Sequence, residues 1–218
     1  MRVQTPFEER LNSLTHALGA LTGIAALVLL ILYNSGKTDY SLFSVIVYGI
    51  TLILLFSSST LYHFVQSDKP KHYFRILDHI SIYFLIAGTY TPVALITLEA
   101  SKGWHLFWTV WGITALGLVL KVFFTGRFEF FSVLLYLLMG WLVIFDFSYL
   151  SENLGTTGLF WLFAGGFAYT AGILFYAIDK IKFNHVIWHL FVLAGAICHF
   201  IMVFFLRDLN LYITVGGR

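Results

Sequence analysis

Three histidines and one aspartate recur at matching depths in a chain that has few other ionisable groups. His185 and His189 stand four apart in Asn184-His185-Val186-Ile187-Trp188-His189, which places both imidazoles on one face of a helix. His63 closes a different apolar run, and Ser59 lies four residues before it, one turn deeper on the same face. Asp78 opens the run that follows. Three imidazole nitrogens form a zinc donor set with a coordination position left for water. A carboxylate at the same level is either a fourth ligand or the group that holds and deprotonates that water. Taken singly, each histidine also reads as a hydrogen-bonded packing residue; their convergence with Asp78 favours a metal.

These residues need elements that bring them together, and composition says what those are. The 218 residues are 59% hydrophobic and only 11% charged, against about 25% charged in a soluble domain. A water-soluble enzyme, a nucleic-acid binder and a disordered tail are thereby excluded. A net charge of +2 is too small to imply a polyanionic partner. The single cysteine, Cys198, cannot form an internal disulfide.

A membrane helix needs about 20 mostly apolar residues. Seven runs free of Asp, Glu, Lys and Arg, the fifth extended past Asp146, predict seven transmembrane helices over residues 12–33, 42–63, 77–98, 104–124, 130–150, 157–178 and 184–206. Together they make one all-α membrane domain over residues 1–218, in a cell (inner or plasma) membrane. The runs are continuous, not alternating, which argues against a β-barrel. Glu8 and Glu9 ahead of the first run, and its length, argue against a cleaved signal peptide. The pairs Gly165-Gly166 and Ala171-Gly172 suggest close helix contacts.

Basic residues set the orientation. Arg2, Arg10, Lys69, Lys71, Arg75, Lys121, Arg127, Lys180 and Lys182 fall on one side; Lys37, Lys102, Arg207 and Arg218 fall on the other. The N-terminus is expected in the cytoplasm and the C-terminus outside. His63, Asp78, His185 and His189 then share one level near the cytoplasmic face, with the polar loop Gln66–Arg75 as part of the rim. Tyr62, Tyr73 and Trp188 are expected at that membrane boundary. No lysine lies in the last run to carry a retinal.

The remaining polar residues have humbler readings. Glu8, Asn12 and His16 form a four-residue ladder, either bracing the site or serving as helix-end capping and packing. His72 and His105 read as solvated or interfacial, and Asp146 as reaching the outer interface. His79 lies about 100° around a helix from Asp78 and is not expected in the site. His199 lies about 15 Å beyond His189, lining a cavity or bonding a neighbouring helix. Thr89-Tyr90-Thr91-Pro92 predicts a kink.

In order along the chain, Glu8-Glu9-Arg10-Leu11-Asn12 with Thr15-His16, Ser59-x-x-x-His63, Leu77-Asp78, Gly88-Thr89-Tyr90-Thr91-Pro92 and His185-x-x-x-His189 resemble the hemolysin III family. That family is grouped with the progestin and adipoQ receptors and, more distantly, the alkaline ceramidases. The resemblance implies zinc on His63, His185 and His189, with Asp78 near the zinc-bound water and Ser59 as the motif serine. It also implies hydrolysis of a lipid amide or ester, or cytolysis, or control of membrane fluidity.

The leading expectation is a Zn2+-dependent hydrolase whose partner is a membrane lipid or fatty-acyl substrate. Asp78 would be the base, and Ser59 a donor to the oxyanion. The rivals are a lipid or fluidity sensor with a structural zinc, and a pore-forming cytolysin. A pore needs polar residues through the full thickness, and here they crowd one end. A haem bundle would need opposed histidines and gives Asp78 no role.

Overall fold

The computed structural model describes residues 3–34 and 36–206, which are helical throughout apart from short connections. The helices are α1 (Pro6–Leu32), α2 (Ser41–Phe64), α3 (Asp68–Pro92), α4 (Gly103–Phe124), α5 (Glu129–Gly140), α6 (Phe147–Ala177) and α7 (Asn184–Phe205). A π-helical turn, Val93–Thr97, prolongs α3, and a 3₁₀ stretch, Leu142–Asp146, joins α5 to α6. Among the described residues, six segments are long and apolar enough to cross a membrane. Arg2, Arg207 and Arg218, and the expected outer C-terminus, lie outside the described residues.

Local chemistry explains each start and break. At the head of α1, Thr5 accepts from the Glu8 amide at 3.3 Å and the Glu8 carboxylate accepts from the Thr5 amide at 2.9 Å. This reciprocal cap, with Pro6 in the first turn, begins the helix six residues before its apolar run. The buried positions of α1 (Glu8, Asn12, His16, Gly19, Gly23, Ala26, Leu30) recur every three or four residues. They form the stripe that packs on the bundle. α3 begins at Asp68, so the polar stretch expected as a loop is its first two turns. Only residues 65–67 connect α2 to α3.

Pro92 carries no N–H, and the ladder lengthens after it: the Leu98 amide bonds the Val93 carbonyl at 3.0 Å. The break after α5 is repaired by a side chain. The Tyr90 hydroxyl donates to the Gly140 carbonyl at 2.9 Å and accepts from the Val143 amide at 3.0 Å.

One of the six segments, Glu129–Ala177, has 49 residues. As a straight helix it would run about 70 Å, more than twice the hydrocarbon thickness of about 30 Å. It folds back instead. Gly155 has φ 69°, ψ 163°, a conformation open essentially to glycine alone. On either side of it the rings of Phe147 and Phe163 stand 5.9 Å apart, and those of Trp141 and Phe167 5.6 Å apart.

The expected glycine contacts are present between α6 and α7. A methyl on Gly165 would overlap the His199 ring, and one on Gly172 would meet Trp188 and Phe191. Opposite the ionisable end, Asp146 accepts from the Lys102 amide at 3.0 Å and from Ser101 Oγ at 3.1 Å. Its carboxylate thus fixes the α3–α4 connection beside α5 and does more than reach an interface.

Candidate metal centre

α2 delivers His63 from its last turn, and α7 delivers His185 and His189 from its first two. One nitrogen from each ring lies within 4.8 Å of the other two. Three nitrogens at 2.0–2.1 Å from a single tetrahedral zinc stand roughly 3.4 Å apart, so this cluster is placed to hold a metal ion. His63 and His189 are buried, and His185 is partly so.

The rest of the bundle fixes the rings as metal ligands are usually fixed, through the nitrogen not used for binding. His63 Nδ1 meets Glu9 Oε2 at 2.6 Å, and the other Glu9 oxygen takes Lys71 Nζ at 3.0 Å. With Nδ1 so engaged, His63 Nε2 is buried with no partner among the described residues. His189 Nδ1 faces the Asn12 carbonyl at 3.2 Å. A carbonyl only accepts, so Nδ1 carries the proton and Nε2 presents a lone pair. His16 stacks flat on His189, centroids 3.6 Å apart and planes 12° apart. Glu8 Oε1 accepts from the Phe183 amide at 3.2 Å, tying the start of α7 to α1. Phe183 itself is left-handed, φ 60°. A donor set of imidazoles with an orphaned, buried Nε2 fits zinc well.

Ser59 and Asp78 line the same cavity as His185 and His189, a space of about 50 Å³. Ser59 is buried and lies next to the Asp78 carboxylate. The Ser58 and Ser81 hydroxyls, 3.0 Å apart, bolt α2 to α3 just behind them. Two further spaces adjoin this cavity. Toward the helix ends, a vestibule of about 460 Å³ is bordered by Glu9, His63, Arg75, Glu129, Tyr176 and His185. Toward the middle of the bundle, an apolar chamber of about 120 Å³ shares Leu55, Ile82, Tyr136, Ile173, Trp188 and Val192 with the metal-side cavity.

The structure revises several sequence expectations. His79 lines the cavity after all, turned toward Glu129 Oε1 at 3.6 Å. Trp188 faces this interior, not the membrane boundary. Lys121, counted among the loop cations, is 1% exposed and bonded to Glu129 Oε2 at 2.8 Å. Glu129 also meets Arg75 Nη2 at 3.7 Å, so one carboxylate joins α3, α4 and α5 beside the vestibule. Of the four-residue ladder, His16 stacks on His189 and the Asn12 backbone carbonyl faces its Nδ1, while Glu8 caps α1 and holds the Phe183 amide. His72 and His105 are exposed. Glu9, in direct contact with His63, was hidden among the acids that ordinarily favour a helix start.

Comparison with known proteins covers nearly the whole chain. The protein-family model described as "Haemolysin-III related" matches residues 4–200. "Hemolysin-3" of Bacillus cereus is 44% identical over 199 residues, 91% of this chain and 91% of that protein. "Hemolysin-3 homolog" of Bacillus subtilis (strain 168) is 42% identical, covering 91% and 93%. "Monocyte to macrophage differentiation factor" of Homo sapiens is 30% identical over 205 residues, covering 90% and 83%.

Proposed function

The chain belongs to the haemolysin-III related family, and from that premise we propose that it is a zinc-dependent hydrolase of lipid-like amides or esters, crossing the cell membrane seven times with its N-terminus in the cytoplasm. The observation that carries this reading is the convergence of three imidazole nitrogens beside a cavity that His185 and His189 share with Asp78 and Ser59, continued by an apolar chamber.

His63, His185 and His189 would hold the zinc. When bound, such an ion polarises a carbonyl and makes water nucleophilic near neutral pH. Asp78 accepts the proton that the attacking water releases and returns it to the leaving group. Ser59 donates a hydrogen bond to the carbonyl oxygen as charge develops there. The apolar chamber takes the acyl tail, and the vestibule admits the polar end. Glu9 and the Asn12 carbonyl keep the imidazoles in the tautomer that binds. A single-chain pore is less well supported, because the space beyond the histidines is lined mainly by apolar side chains.

Hydrolysis is tested by offering the zinc-loaded protein in detergent a panel of N-acyl and O-acyl lipids, with chelator-treated protein as control. Metal-dependent release of fatty acid from at least one class is expected. Lipid binding without release from any class would replace the hydrolase by a lipid sensor with a structural zinc.

The reversal at Gly155 supports reading the 49-residue segment as two crossings, which would make seven. The charges support the orientation: Arg10, Lys69, Lys71, Arg75, Arg127, Lys180 and Lys182 lie at the histidine end, against Lys37 and Lys102 at the other. In a chain with Cys198 replaced by alanine, Ser67→Cys is expected to react with a membrane-impermeant thiol reagent only from the cytoplasmic side. Ser101→Cys is expected to react only from outside. The reverse pattern in sealed vesicles of known orientation would put the histidine end on the external face.

A further inference from the structure

The apolar chamber is lined by a residue that carries a buried acceptor with no partner among the described residues. Most of the polar side chains along it are already engaged. Thr89 donates to the Leu85 carbonyl at 2.8 Å, Thr170 to Gly166 at 2.8 Å and Tyr136 to His79 at 3.0 Å. Tyr90 is satisfied twice over by the backbone of residues 140 and 143. His199 also lines the chamber, and its Nε2 faces the Leu162 carbonyl at 3.2 Å. That nitrogen therefore carries the proton, and in a neutral ring Nδ1 is a bare acceptor. Among the described residues Nδ1 finds no partner, although it is buried.

The ring is held in place around that acceptor. Gly165 gives it room on α6, where any side chain would overlap it, and the Tyr169 ring packs 5.4 Å away. A buried acceptor without a donor is costly in apolar surroundings. A lone water is a poor remedy, because a buried water needs two to four polar partners of its own, and the hydroxyls of Thr89, Thr170, Tyr136 and Tyr90 are engaged, which leaves, among the described residues, the Tyr169 hydroxyl as the one hydroxyl of the chamber lining free to meet it.

We propose that His199 is a specificity-determining residue that selects, among acyl ligands, those bearing a hydroxyl deep in the chain. The inference rests on the reading of the chamber as the acyl site. His199 lies ten residues beyond His189 on α7, about 15 Å along the axis, which spans on the order of ten to twelve methylenes of an extended chain. A ligand with its carbonyl at the histidine cluster and a hydroxyl that far down its chain donates to His199 Nδ1. An unsubstituted chain fills the same space and leaves the acceptor unpaired.

The test is a binding series on the zinc-loaded protein in detergent. The probes are octadecanoic acid and its monohydroxy derivatives, with the hydroxyl stepped along the chain. In the wild type, affinity is expected to peak with the hydroxyl at mid-chain, about tenfold above the unsubstituted acid. His199→Phe keeps a ring of similar size without the acceptor. It is expected to bind unsubstituted acid at least as well as the wild type and to abolish the peak. A flat profile in the wild type, with unsubstituted acid still bound, overturns the role of His199 and leaves the acyl site standing. A mid-chain peak that survives in His199→Phe also overturns it. Failure of every probe to bind overturns the acyl reading itself. The wild-type profile decides the matter even if the variant does not fold.

Discussion

Replacing His189 by alanine is expected to strip the protein of the proposed zinc. Wild-type protein purified without chelator is expected to carry about one zinc per chain, and His189→Ala little or none. Two remaining nitrogens in a desolvated pocket cannot offset the hydration the ion gives up. A graded pair sharpens the result. Glu9→Gln keeps all three nitrogens but loses the charge on His63 Nδ1, now met at 2.6 Å. It is expected to retain zinc with an affinity about ten- to a hundredfold weaker. Elemental analysis gives the stoichiometry, and competition with a chromophoric chelator the affinities. Full zinc in a His185→Ala/His189→Ala double variant would remove these histidines as the binding site.

Asp78→Asn is expected to separate binding from chemistry. Asparagine has the size of aspartate and still hydrogen-bonds beside Ser59, but it cannot take a proton. Turnover of whichever lipid class proves to be the substrate should fall by about 10²–10⁴, while zinc content stays near one per chain. The paired measurement discriminates among three roles. Unchanged turnover would remove Asp78 as the base. Loss of the metal would make it a direct ligand. Lost turnover with retained metal would fit the proton acceptor.

The chemistry of this chain was more legible in its sequence than the supports of that chemistry. His63, His185 and His189 stood out because an imidazole is conspicuous in an apolar run and because i, i+4 spacing has one geometric meaning. The all-helical membrane class was legible for the same reason, with six candidate membrane segments found against seven expected, because residues 129–177 form one 49-residue segment that takes in both the fifth and sixth runs. Glu9 was obscured because an acid in a first helical turn is ordinarily explained by the helix dipole. Lys121 was misplaced because a lysine at the end of an apolar run looks like a loop cation. Only tertiary structure shows that Glu129, eight residues later, turns back to bind it. The first two turns of α3 were read as loop because their residues are polar, yet Asp68 to Arg75 are helical. Polarity marks where a helix leaves the hydrocarbon, not where it ends.

The histidine cluster, its vestibule and the Glu129 ion pairs all lie at one end of the helices, and the chamber leads inward from there. In a bilayer this makes the protein chemically one-sided. Under the proposed function, lipids of the leaflet that meets the vestibule would reach the histidine cluster by lateral diffusion alone. Lipids of the opposite leaflet must first flip across the bilayer. The composition of one leaflet, and the rate of transbilayer exchange that replenishes it, would therefore set what a lipid hydrolase of this build samples, whatever the total lipid content of the membrane.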